Sequence, residues 1–203
     1  MGNYSQKYHL GKAESLLKAS IELLHCVDLD PRFSQVTSVV AGVSSVRFLI
    51  LSAHCFNVDS LPAFDNSIEL KLVIHKCFSW ELLTEFLNRS PLLQCLVLEH
   101  SATSCKGKYS EPESDSIPEG PKPRWHAPEL VPSCLMSNLE TVSIEGFKGQ
   151  QDTMEVAKYF LRNSEVLKKM TISSDPLRAK KQTLYKKLRK VPRVSEACRV
   201  DFV

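Results

Sequence analysis

The spacing of apolar residues constrains this chain more than any other feature. An L-x-x-L-x-L pattern, apolar at relative positions one, four and six, recurs along its length as Leu16/Ala19/Ile21, Val46/Leu49/Leu51, a weaker Ser67/Leu70/Leu72, Leu93/Leu96/Leu98, Leu139/Val142/Ile144 and Leu167/Met170/Ile172. Positions four and six alternate as in a β-strand, so both side chains point to one face. One such unit has no core of its own. Stacked units share a continuous core, and each strand then joins a parallel sheet whose outer side is covered by the return segments.

Successive fourth positions lie 30, 21, 26, 46 and 28 residues apart, mostly near the roughly 20 to 29 residues of leucine-rich repeats. The longest interval needs an insertion. Residues 101–124 supply one: they lack apolar periodicity, carry four prolines, and bear four acids without a base between Tyr109 and Gly120. They read as an exposed loop between repeats, the alternative being a docking or phosphorylated acidic loop with Ser110, Ser114 and Ser116 as sites. Two return segments read as helices. Ser79 is placed to cap 80–88, where Trp80, Leu83 and Leu87 share a face; Asp152 precedes 153–162, with Val156, Tyr159 and Phe160 at helical spacing and Asn163 as the stop.

The expected fold is therefore an α/β leucine-rich-repeat solenoid, a curved parallel sheet with helices on the outer face. An amphipathic helix through Leu177, Leu184, Leu188 and Val191 is expected to cap its C-terminal end.

A composition of 43% apolar and 24% charged residues is that of a globular chain. The net charge of +3 is uneven, because residues 178–193 hold eight Lys/Arg and no acid, which leaves about −5 elsewhere. That basic run is expected to be the solvated face of the capping helix. The alternatives are a nuclear address, an acidic protein partner or nucleic acid, and single-strand stacking is disfavoured because only Tyr185 interleaves with the charges. Seven cysteines without a C-x-x-C pair suit a reduced protein. The N-terminus lacks a signal-peptide core, and the longest apolar stretch, 36–51, is broken by Arg47, so no transmembrane segment is expected. The expected location is intracellular, in cytoplasm, nucleus or both.

From Trp125 the chain reads WHAPELVPSCL, then Leu139-Glu-Thr-Val-Ser-Ile144-Glu-Gly146-Phe147-Lys-Gly149, a segment ending in Tyr159-Phe-Leu-Arg-Asn163, and Val166-Leu167-Lys-Lys-Met170-Thr-Ile172. This resembles the FBD domain of plant F-box proteins, including the later Val191-Pro192-Arg193, Ser195 and Cys198. Phe64-Asp65-Asn66, Cys77-Phe-Ser-Trp80 and Ser90-Pro91 ahead of Leu93 resemble the leucine-rich repeats that precede FBD in F-box/FBD/LRR proteins. Three regions follow: repeats over 1–100, an acidic loop over 101–124, and an FBD domain over 125–203 that continues the solenoid. The resemblance implies the substrate-recognition part of an SCF-type ubiquitin ligase, in which the F-box binds a Skp-type adaptor and the repeats hold a target protein. No F-box is expected ahead of Leu16, so the adaptor is a partner only if one is supplied upstream. A stand-alone regulatory or structural repeat protein, unconnected to ubiquitin transfer, is the alternative.

No nucleophile elbow, H-E-x-x-H or kinase-like set occurs, and no catalytic residue or cofactor is expected. Gly146-Phe-Lys-Gly149 lacks the full P-loop run and reads as a turn after a strand. His54-Cys55 and His75-x-Cys77 follow successive strands and are weighed as metal ligands, but buried cysteines are the simpler reading, and no metal is expected. The candidate binding residues are those pointing away from the core, at motif positions two, three, five and seven: Glu69, Lys71, Gln94, Val97, Glu99, Glu140, Ser143, Glu145, Lys168, Lys169 and Thr171. Acid giving way to base in the last repeat favours an unidentified protein partner of polarised charge, against the alternative of ordinary solvated strand faces. Neither membrane nor nucleic acid is an expected partner.

Overall fold

The structure, a computed structural model, describes residues 16–22, 33–53, 61–75, 80–101, 124–173 and 185–203. Among the described residues seven strands, β1 (Lys18–Ile21), β2 (Phe48–Ala53), β3 (Glu69–Ile74), β4 (Cys95–His100), β5 (Thr141–Glu145), β6 (Lys169–Ile172) and β7 (Arg199–Phe202), form one sheet. They lie in sequence order and every neighbouring pair is parallel. Helices α1 (Phe33–Gly42), α2 (Trp80–Asn88), α3 (Ser133–Ser137) and α4 (Gln151–Asn163) lie between strands in sequence.

The apolar spacing sets the register. Ala19, Leu49, Leu70, Leu96, Val142 and Met170, the six fourth positions, are successive register partners, and the sixth positions from Ile21 to Ile172 align in the same way. A one-residue slip would turn every one of these side chains to the opposite face. A repeated hydrogen-bond rung precedes each of the strands β2 to β6. The N–H groups of Arg47 and Phe48 both donate to the Leu17 carbonyl, Ile68 and Glu69 to Arg47, Gln94 and Cys95 to Ile68, Glu140 and Thr141 to Gln94, and Lys168 and Lys169 to Glu140, at 2.8–3.1 Å.

The core lies between the sheet and its helices. Leu70, Leu72, Leu96, Leu98, Val142, Ile144, Met170 and Ile172 meet Leu82, Leu83, Phe86 and Leu87 of α2 and Val156, Ala157, Phe160 and Leu161 of α4 in one buried cluster. Burying each large apolar side chain stabilises the fold by roughly 1.5–3 kcal/mol. The polar first position of the third repeat has its own solution. Ser67 is buried and its hydroxyl donates to the Val46 carbonyl at 2.9 Å, which satisfies the group that would otherwise make this position costly.

Two expectations are corrected. Asp152, expected to precede its helix, lies inside it, since α4 begins at Gln151; its Oδ1 accepts the Trp125 N–H at 3.1 Å. Asn163 is the stop, as expected: it is the last helical residue, its Nδ2 donating to the Tyr159 carbonyl at 2.8 Å, and Ser164 follows as the cap. The basic segment does not end the sheet. Its helical turn at 185–189 buries Leu188, but the chain then returns to add β7 beside β6, so a strand is the last element. Ser195 explains why that strand is hard to read: buried, it donates to the Leu167 carbonyl at 2.6 Å, as Ser67 does to Val46, but it sits five residues before Val200 rather than three.

Candidate functional site

Strand alternation divides the sheet into two faces. The face opposite the helices carries rows in register: Lys18, Phe48, Glu69, Cys95, Thr141, Lys169 and Arg199 form one, and Ser20, Ile50, Lys71, Val97, Ser143, Thr171 and Asp201 the next. Val73, Glu99 and Glu145 continue a third. Of the eleven residues singled out in the sequence, Glu69, Lys71, Val97, Glu99, Ser143, Glu145, Lys169 and Thr171 lie in these rows. Gln94, Glu140 and Lys168 stand at the rungs just before their strands. None of the eleven is buried.

Cross-strand ion pairs join the charges of this face. Lys71 Nζ lies 2.7 Å from Glu99 and 3.2 Å from Glu145, so one ammonium spans three strands. Its hydrogen bond to Glu99 raises its pKa above the ordinary lysine value, partial burial opposes this, and Glu145 adds a further rise. Lys168 pairs with Glu140 at 2.7 Å and Lys169 with Asp201 at 3.5 Å. The acid-to-base gradient read from the sequence is therefore partly neutralised within the face. Asp201 belongs to the strand the pattern did not show.

The other candidates fall elsewhere. His54, Cys55 and Cys77 lie outside the described residues, as do residues 102–123 of the acidic segment. Nε2 of His75 is 2.8 Å from the Ser52 hydroxyl. Among the described residues no group of three His, Cys, Asp or Glu is placed to hold a metal ion, and no helix is long and apolar enough to cross a membrane. Gly146 and Gly149 have φ of 69° and 88°. A Cβ on Gly146 would stand 2.8 Å from the His100 carbonyl oxygen, so the glycine is required where the chain turns against β4. His100 itself is mostly buried, its Nε2 2.9 Å from the Thr153 hydroxyl. Burial, with Lys148 adding to it, lowers its pKa to about 4. Cys134 is fully buried, its thiol pushed up to about 12 by burial and 3.4 Å from the Leu87 carbonyl, as expected of a core cysteine.

A family model named FBD matches residues 127–172, which span α3, β5, α4 and β6. An F-box/FBD/LRR-repeat protein of Arabidopsis thaliana is 30% identical over 194 residues, covering 93% of this chain and 42% of its own length. A putative FBD-associated F-box protein of the same plant is 29% identical over 216 residues, covering 99% of this chain and 46% of its own length. A further F-box/FBD/LRR-repeat protein is 30% identical over 182 residues, covering 85% and 36%. This chain is an FBD-containing relative of the plant F-box/FBD/LRR-repeat proteins. It spans less than half the length of these curated relatives. No solved structure matches it.

The FBD match places familiar residues in physical roles. Trp125, just ahead of it, sets its ring edge-on to Trp80 at 6.1 Å and to Tyr159 at 5.6 Å, tying the start of this region to α2 and α4. Asn138 Nδ2 donates to the Pro91 carbonyl at 2.9 Å, joining the turns before β4 and β5. The FBD region is continuous with the upstream strands, since β4 and β5 pair through the same register and rung as the others. The aromatic anchor and the Asp152 bond were missed in the sequence because they link residues far apart in the chain.

Proposed function

We propose that this chain is a non-catalytic protein-binding module, a leucine-rich-repeat solenoid of which the FBD domain, taken as 125–203, is the continuation of repeats in 1–100, with 101–124 as the loop between them. The observation that carries this reading is the register. Residues from Glu69 to Thr171, drawn from separate repeats, meet on one face with no helix over it among the described residues, the kind of surface on which repeat arrays bind partners. A specific protein partner would bury on the order of 1,600 Å² in total.

The names of the relatives supply the context. In an F-box/FBD/LRR-repeat protein the F-box would engage a Skp-type adaptor, and the repeat face would hold the target for an SCF-type ubiquitin ligase. The present chain is assigned the target-holding role, within cytoplasm or nucleus, and the adaptor joins only through an F-box upstream. Affinity purification followed by mass spectrometry identifies the target. Exchanging charges within the face, by Glu140→Lys with Lys168→Glu and by Glu99→Lys and Glu145→Lys with Lys71→Glu, keeps opposite charges facing each other while altering the pattern a partner meets. Binding about tenfold weaker than wild type or worse supports the open face, and equal binding would overturn it.

A further inference from the structure

The outer edge of β7 presents a second surface, separate from the open face. Arg199 N–H donates to the Lys168 carbonyl at 2.9 Å and Val203 N–H to the Ile172 carbonyl at 3.1 Å. Alternation along the strand then turns the N–H and C=O groups of Val200 and Phe202 away from β6, at the last strand of the sheet. Among the described residues no further strand pairs with them, and edge groups left in this way are a template for one more strand.

Among the described residues cations outnumber acids around this edge. Exposed Arg199 lies on the open-face side. On the other side the Arg189 guanidinium stands 5.6 Å over the Phe202 ring, and Lys186, Lys187 and Lys190 are exposed beside it. At the start of the strand Arg193 Nη1 donates to the Cys198 carbonyl at 2.6 Å. Among the described residues the acids nearby are Asp201, paired with Lys169, and exposed Glu196. A second copy joined edge to edge would bring the same cations to the seam. One added head to tail in the register of the other strands would set Lys18 of β1 beside Arg199. Single-stranded nucleic acid is disfavoured for another reason: the Phe202 ring already has Tyr185 against it at 3.8 Å and the Arg189 guanidinium 5.6 Å from its centroid, which compete with a stacking base.

We infer that the β7 edge takes an extended, acidic segment of a partner protein, which adds a strand through the backbone of Val200 and Phe202 while its carboxylates meet Arg189 and Arg199. The test uses the full chain and fluorescent decapeptides alternating valine with glutamate, lysine or serine, with a ten-residue oligothymidylate as a nucleic-acid control. The glutamate peptide is expected to bind, with added protection of the Val200 and Phe202 amides in hydrogen exchange. Val200→Pro removes an outward N–H and leaves the β6 ladder intact, and is expected to weaken binding about tenfold. Arg199→Glu is expected to do the same by charge alone, so the proposal stays testable if the proline variant does not fold. Failure of the glutamate peptide to bind, equal binding of the lysine peptide, unchanged affinity in Arg199→Glu, tighter binding of the oligonucleotide, or dimerisation abolished by Arg199→Glu would each overturn it.

Discussion

The middle and the ends of the sheet use the same motif to different effect. Leu72, Leu98 and Ile144 occupy the sixth position of central strands and are essentially inaccessible to solvent. Ile21 in β1 and Phe202 in β7 occupy the same position and are only partly buried. The residue types are similarly apolar, so the difference comes from neighbours: a central strand has one on each side, and an end strand has one. Burial is therefore a property of position in the stack.

The largest expected effect tests this directly. Leu98→Ala should destabilise the protein by about 2–5 kcal/mol, since the core around β4 cannot collapse into the space. Ile21→Ala, in the same register row at the end, should cost only about 1 kcal/mol. Urea unfolding of both variants checks the ratio, and equal costs would break the comparison.

His100, at the end of central β4, brings a pH dependence that an end strand would not. Its pKa of about 4 lies below the ordinary 6.5 because burial disfavours the charged ring. The unfolded chain therefore takes up a proton at this site before the folded one does, and stability falls as pH drops from about 6.5 toward 4, by up to about 3 kcal/mol. His100→Gln should flatten that part of the stability profile.

Gly146→Ala, packed against the same residue, should cost about 2 kcal/mol, because alanine at positive φ is strained and its Cβ meets the His100 carbonyl. A melting temperature unchanged from wild type would place the turn outside the rigid centre. The smallest effect belongs to the open face. Lys71→Met should change stability by less than about 1 kcal/mol, because partly exposed ion pairs contribute little. A larger loss would mean that the face has a structural role beyond its availability to a partner.

Much of the architecture was legible in the chain. The fourth positions of six repeats marked six of the seven strands and their register, and Trp80 to Leu87 and Val156 to Phe160 marked two helices. Strand β7 was not legible. Its four residues alternate charged and apolar in a segment dominated by basic helical spacing, and its buried Ser195 anchor is polar and displaced along the sequence. The eleven candidate residues lie on or beside one face, and that placement follows from alternation, which is local. Their pairing was not foreseeable, because Lys71 reaches Glu145 across 74 positions of sequence.

The spacing of leucines by itself determined a stack of parallel strands with one buried and one open face, since period-two alternation and the interval between repeats are carried by the chain. Only the tertiary structure decided that β7 closes the sheet, that Asp152 holds Trp125 from inside its helix, and how charges are shared across strands. Those outcomes depend on distances between segments remote in sequence, which exist only once the repeats have stacked.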